Sequence, residues 1–299
     1  MSQRHHLMPF LAVAAGIASF SLMDALMKSA SLAVGAYSAM LWRSLLGVCL
    51  MLPLWKLGGG QWPDRSIMRL HALREANSAA MATSFFWGLK YLPLAEGMAI
   101  SFVAPLIALY LAAVMLGERI GQRAILASVL GLAGVLVICA GRLGGAGFSS
   151  DAAWGIGAIL ISAVLYAWNL ILQRRQAQIA EPREIALFQA VFTSLFLLLL
   201  SPWLAQVPAQ GVWIDLAGSA VLAAISLMLI SWGYAREETQ VLLPLEYSAF
   251  IWAAIMGKLM FGESLTWPIV GGAVLIVGGC LMATRKQAAA AAHTEQTAL

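Results

Sequence analysis

One displacement constrains this chain more than any other feature. A shift of 145 residues carries Trp87-Gly88 onto Trp232-Gly233 and Gly117-Glu118 onto Gly262-Glu263. The same shift sets Asp24 on Asn169, Ala18 on Ala163, Ala127 on Gly272 and Gly134 on Gly279. Matches of Gly and Ala are cheap in an apolar sequence, but two Trp-Gly and two Gly-Glu pairs at one offset are not. Roughly half of the chain is therefore a copy of the other half, and a repeat of this kind governs the fold before local propensities do.

The copies are built from membrane-length apolar runs. Hydrophobic residues fill 61% of the 299 positions and charged residues 11%, against about 25% charge in a soluble domain. Too little polar surface exists to cover a water-soluble globule. About twenty apolar residues span a bilayer as a helix. Ten such runs fall at about 8–29, 36–55, 73–91, 96–116, 123–141, 153–173, 184–203, 214–234, 239–260 and 267–284. The third is the most polar, with Arg74, Glu75 and Asn77 in its first turns. The runs are continuous rather than alternating, which favours helices over a barrel, and a helix satisfies its own backbone in lipid. The later runs are as apolar as the first, so the first is read as a retained helix and not a cleaved signal.

The Lys/Arg bias sets the expected orientation. With the N-terminus inside, the inner segments hold Arg4, Lys56, Arg65, Arg69, Arg74, Arg119, Arg123, Arg174, Arg175, Arg183, Arg236, Arg285 and Lys286, which is 13 of the 18 basic residues. Five spans per copy is an odd number, so the second copy enters from the opposite side. The expected fold is an all-α integral membrane protein of ten transmembrane helices in two inverted five-helix repeats, both termini cytoplasmic. Residues 1–141 form the first repeat, 142–152 an outer linker, 153–285 the second repeat and 286–299 a flexible cytoplasmic tail.

Ionisable residues inside a membrane are functional candidates until a structural role explains them. Asp24 and Arg43 sit at similar depth on consecutive antiparallel helices and form a neutralising ion pair, or else Asp24 serves as an outer gate or a coupling carboxylate. Lys28 and Lys258 lie close enough to the outer surface to snorkel. Glu246 stands two residues after Pro244, and its counterpart Ser101 stands four residues before Pro105. Proline removes a backbone donor and kinks a helix, so Pro105 and Pro244 are candidate hinges. Glu246 binds a substrate ammonium, carries a proton, or only reaches solvent or an arginine. Glu118 and Glu263 read as parts of short polar turns, Glu118 with Arg119 and Arg123 beside it and Glu263 with Lys258 within reach. Asn77 and Ser84 share one helix face, as do Tyr166 and Asn169. With Ser101, Ser226, Glu246, Tyr247 and the deeply placed Trp168 they would give a cavity of aromatic walls and a few polar anchors. Small residues in the fifth and tenth helices, among them Ala127, Gly131, Gly134, Gly272 and Gly279, suit close packing away from the substrate path.

Several chemistries find no support. No phosphate-binding Gly-x-x-x-x-Gly-Lys-Ser/Thr stretch occurs. His5, His6, His71 and His293 all fall outside the expected spans, so neither an intramembrane metal site nor a histidine-assisted nucleophile is expected. The dispersed Cys49, Cys139 and Cys280 give no disulfide framework. Basic residues are scattered, which argues against a nucleic-acid surface. No cofactor, metal or enzymatic role is therefore expected.

Ten spans in two inverted halves, each half carrying an apolar-Gly-Glu turn before a Gly-rich last helix, resemble the EamA type of the drug/metabolite transporter superfamily. The residues are Trp87-Gly88, Pro105, Leu116-Gly117-Glu118 and Gly131 to Gly134, then Phe261-Gly262-Glu263 and the run from Gly271 to Gly279. The resemblance covers about residues 8–285. It is specific for the fold, not for the substrate. Within the family the chain is similar to the YddG-type exporters of aromatic and other amino acids. The resemblance implies a central cavity lined by helices 1, 3, 4, 6, 8 and 9, with 5 and 10 as supports, in a bacterial inner membrane. The expected function is secondary export of small metabolites, amino acids first, by alternating access, with protons as a candidate coupling ion. The rival readings are a same-fold carrier of nucleotide sugars, sugar phosphates or lipids, and an intramembrane enzyme.

Overall fold

The computed structural model describes residues 3–104, 106–107, 110–111, 122–143, 150–177, 179–234, 236, 245, 248–279 and 281. Among them lie ten named helices: α1 (Gln3–Val34), α2 (Ala36–Leu57), α3 (Arg65–Gly88), α4 (Leu94–Ser101), α5 (Gln122–Leu143), α6 (Ser150–Ala177), α7 (Pro182–Leu204), α8 (Val212–Tyr234), α9 (Ala249–Phe261) and α10 (Trp267–Gly279). The described residues contain no strand. α1, α2, α6, α7 and α8 contain stretches long and apolar enough to cross a membrane, and α5, α9 and α10 carry shorter apolar segments. α3 is not among them because its first turns are polar. The described part of α4 is only 8 residues long.

Helix pairing follows the duplication. α1 packs most extensively on α8 and α3 on α6, and the shift that turns α1 into α6 also turns α3 into α8. The two pairs are thus copies of each other. α2 packs on α7, its own counterpart under the shift, and α4 packs on α9. Glycine permits the closest crossings. A Cβ on Gly134 of α5 would lie 2.5 Å from the Gly272 carbonyl oxygen of α10, and one on Gly272 would lie 2.5 Å from the Gly134 carbonyl oxygen. These are the small-residue positions expected to support close packing. The repeated Trp-Gly pairs have the same explanation. A Cβ on Gly88 would come 2.9 Å from the Gly155 carbonyl oxygen, and one on Gly233 would come 3.1 Å from the Pro9 carbonyl oxygen.

These crossings also define two ends. The start of α1 meets the end of α8 through Gly233, at what we term the near end. The start of α6 meets the end of α3 through Gly155 and Gly88, at the far end. The two copies therefore begin at opposite ends of the bundle. At the far end the α2 start is tied to the α7 end: Tyr37 donates to the Leu197 carbonyl, and Trp42 Nε1 donates to the Gln206 carbonyl at 2.9 Å. At the near end Trp55, Trp62 and Phe188 form an edge-to-face cluster.

Candidate functional site

Two polar stripes mark the first helix of each copy. Ser21, Asp24, Lys28 and Ser31 follow one another at spacings of three, four and three along α1, which keeps them on one helix face. All four are buried. The 145-residue shift maps them onto Tyr166, Asn169, Gln173 and Gln176 of α6. The duplication has kept a polar residue at every position of the stripe but put formal charge on only one copy. Ser21 Oγ and Ser31 Oγ have no hydrogen-bond partner. Arg43, on α2, is the electrostatic neighbour of Asp24. Its guanidinium nitrogens lie 3.9 Å from Met23 Sδ and 4.0 Å from Met40 Sδ, and the ion pairs among the described residues do not include Asp24 with Arg43.

At the far end the copies are joined by Lys28 and Glu263. Lys28 does not snorkel as its sequence position suggested: it is 4% exposed. Its ammonium pairs with Glu263 Oε1, donates to the Leu92 carbonyl at 2.6 Å and sits 5.0 Å from the centre of the Phe261 ring. The other carboxylate oxygen of Glu263 accepts the Leu94 backbone N–H at 2.7 Å, one of the orphan donors at the start of α4. Gly262 aims this side chain. It ends α9 at φ 65, in the left-handed region. Gly262 N–H donates to the Lys258 carbonyl and Glu263 N–H to the Gly257 carbonyl, both at 3.1 Å. This is the glycine-terminated helix cap that turns the chain sharply after the last turn. The Gly-Glu pair thus joins a turn in one copy to helices α1 and α4 of the other. Lys258, the partner suggested by the sequence, is exposed.

The near end is joined differently. Arg74 Nη1 donates to Glu75 Oε1 at 2.9 Å and to Gln176 Oε1 at 2.6 Å. Gln176 Nε2 meets His71 Nδ1 at 2.5 Å, and His71 Nε2 meets Glu184 Oε1 at 3.0 Å. The imidazole stacks on Phe188 with ring centres 5.0 Å apart. These bonds tie α3 of one copy to α6 and α7 of the other. His71, expected outside the spans, is fully buried; the polar start of α3 is packed between helices rather than left in a loop. Gln176 and Glu184 were not singled out from the sequence. The signal for Gln176 was its place in the duplicated stripe.

The remaining candidates divide by azimuth as much as by depth. Ser78 Oγ donates to Asn169 Oδ1 at 3.0 Å, and Asn77 Nδ2 donates to the Leu165 carbonyl at 2.9 Å, so both amides bridge α3 and α6. Tyr166 shares its face of α6 with the buried Ile159, Ser162 and Ala163, yet it is 36% exposed. α3 packs on one side of that face, where Ser162 Oγ donates to the Met81 carbonyl at 2.9 Å. α4 packs on the other, through Gly97 against Ile159. Tyr166 thus stands on the face of α6 that packs against α3 and α4. Trp168, 39% exposed, lies instead on the stripe of Trp154 and Ile161 at seven-residue spacing, the outer apolar face of α6. That takes it away from the expected cavity. Ser226 donates to the Gly16 carbonyl and Ser101 to the Gly97 carbonyl, so both hydroxyls serve the helices. Ser84 is half-buried on α3. Pro105, Pro244, Glu246, Tyr247 and Glu118 lie outside the described residues.

The arrangement is a bundle of two antiparallel copies, apolar in its core apart from the buried polar stripes and held at each end by side chains that cross between them. Known proteins match it. The chain is 26% identical over 208 residues to the aromatic amino acid exporter YddG of Ancylobacter novellus, covering 67% of this chain and 70% of that protein. It is 24% identical over 268 residues to the pseudopaline exporter CntI of Pseudomonas aeruginosa, covering 89% and 92%. It is 24% identical over 288 residues to a riboflavin transporter of Vibrio cholerae, covering 93% of each. A solved crystal structure superposes with a TM-score of 0.61 at 22% identity over 91% of this chain and 96% of its own, and so shares the fold. The profile of one family matches the sequence twice, at residues 7–140 and 153–285. The chain is a member of the EamA-like transporter family.

Proposed function

We propose that this protein is a secondary transporter that exports small metabolites, amino acids including aromatic ones, across the bacterial inner membrane by alternating access. The observation that carries the amino-acid class is the pair Asp24 and Arg43. An acid and a base lie as electrostatic neighbours on adjacent helices without an ion-pair contact between them. A zwitterion offers an ammonium to the first and a carboxylate to the second. The Tyr166 ring on α6 supplies an apolar face with a polar tip, suited to an aromatic side chain. Relatives named as exporters of an aromatic amino acid and of pseudopaline support the direction and the size class of the cargo. The near end carries most of the basic residues and is assigned to the cytoplasm. Pro105 and Pro244 are assigned as hinges, and Glu246 and Tyr247 to the cavity.

Counterflow of labelled tryptophan into liposomes containing the purified protein tests the proposal. Saturable exchange, suppressed by excess tryptophan and only weakly by tryptamine or indole-3-propionate, is the expected result. Asp24→Asn should erase the preference over indole-3-propionate, and Arg43→Gln the preference over tryptamine. Flux no greater than in empty liposomes for Trp, Phe, Met and Thr, from protein shown to be folded, would overturn the amino-acid reading. Arg43 Nε is buried without a partner. That favours an anionic group on the cargo and makes nucleotide sugars or sugar phosphates the second reading.

A further inference from the structure

We propose that Glu75 is a proton-binding site, and that Arg74 and Gln176 convert its protonation into release of the near end. Glu75 is fully buried, and its carboxylate is used on one side only. Oε1 accepts from Arg74 Nη1 at 2.9 Å, whereas Oε2 has no hydrogen-bond partner. Ser78, one turn further along α3, commits its hydroxyl proton to Asn169. A buried carboxylate oxygen with no partner is costly as a charged acceptor, and a proton removes that cost. Arg74 is half-used too. Nη1 serves both Glu75 and Gln176, and Nε is buried without a partner.

The surrounding charges are few. On α3 they are Arg74 and His71. On α7 the facing acid is Glu184, which His71 already holds at 3.0 Å. α6 contributes the amides Gln176 and Asn169 from its described side chains. Asp24 of α1 and Arg43 of α2 act on each other. Arg74 is therefore the one counter-charge in contact with Glu75 among the described residues.

The step is a simple proton balance. A proton from water bonds to Glu75 Oε2, the carboxylate becomes a neutral carboxyl, and no other bond is made or broken covalently. The guanidinium of Arg74 then remains charged in a buried place without an anion. Leaving one member of a buried pair unpaired is strongly unfavourable, so Arg74 withdraws towards water at the near end. Its bond to Gln176 goes with it, and Gln176 loses its fixed orientation against His71. The chain that holds α3 to α6 and α7 is broken at its centre. Nothing in the 145-residue shift repeats this device: His71, Arg74 and Glu75 map onto Leu216, Ser219 and Ala220. This device is thus a property of one end. Its consequence for transport rests on the carrier reading above; the binding itself does not.

Two measurements test it. The first needs no cargo: infrared difference spectra of the purified protein between about pH 8 and about pH 5, the range in which a physiological proton switch works. The spectra should show a carboxyl C=O band that Glu75→Gln abolishes. A band unchanged in the variant overturns the proposal whatever the cargo. The second compares tryptophan accumulation driven by a pH gradient with gradient-free counterflow. Glu75→Gln should keep counterflow and reduce accumulation to the level without a gradient; retained gradient-driven accumulation overturns the proposal. Should Glu75→Gln fail to fold because Arg74 is left unpaired, the double variant Arg74→Gln with Glu75→Gln removes both charges and is read by the same two criteria. Absence of wild-type counterflow would count against the carrier reading alone, because the infrared band still decides the site.

Discussion

The two ends of this bundle perform the same task with opposite economy. At the far end one lysine and one glutamate use nearly every polar atom they have. Lys28 meets a carboxylate, a carbonyl and a ring, and Glu263 meets an ammonium and a helix N-terminus. At the near end five side chains form a chain of hydrogen bonds that leaves Glu75 Oε2 and Arg74 Nε unused. A closed pair resists change, because opening it exposes or strands full charges. A chain with unused atoms can be rearranged by one proton. The duplication makes the contrast informative. Both ends descend from the same sequence, yet the counterpart of Lys28 is the neutral Gln173, and the counterparts of His71, Arg74 and Glu75 carry no charge. The copies share a scaffold and have diverged in the side chains that cross between them.

The largest effect should come from breaking the far end. Glu263→Ala leaves Lys28 buried without its anion and Leu94 without its acceptor, and should cost about 3–5 kcal/mol, read as loss of unfolding resistance in detergent. Replacing both Lys28 and Glu263 by Met should cost less than the sum of the single changes. Equal costs would mean that the pair does not act as a unit. At the near end, Gln176→Leu strands His71 Nδ1 and one Arg74 bond and should cost about 1–3 kcal/mol. A near-end loss as large as the far-end loss would erase the distinction drawn here. Gly262→Ala forces a Cβ into a left-handed turn and should cost about 1–2 kcal/mol; it would weaken the far end without touching a charge. Trp168→Phe, on the outer face of α6, should change stability by no more than about 0.5 kcal/mol and leave tryptophan counterflow intact. Tyr166→Ala should reduce counterflow.

The helical framework was legible because apolar length and the 145-residue shift are properties of the chain in one dimension. The close crossings at Gly134 and Gly272 were legible for the same reason: small residues at helical spacing announce a packing face. Partners across the fold were not legible. Glu263 sits 235 residues from Lys28, and the nearer Lys258 was the obvious candidate until the turn at Gly262 aimed the carboxylate elsewhere. His71 was missed because a polar helix start looks the same whether it projects into water or lies under another helix. Trp168 was judged by depth along the axis, whereas azimuth decides what a helical residue faces. Tyr166, two positions earlier, differs from it by more than half a turn.

The most direct test of alternating access is to follow the two ends at once. Spin-label pairs at the exposed positions Leu32 and Leu265 report the far end, and pairs at Leu57 and Ile179 report the near end. Each pair joins the two copies. Distance distributions measured in lipid, with and without tryptophan and at two pH values, should show two populations at each end that shift in opposite directions, one end opening as the other closes. Ends that open together, or that hold one distance under every condition, would contradict the account.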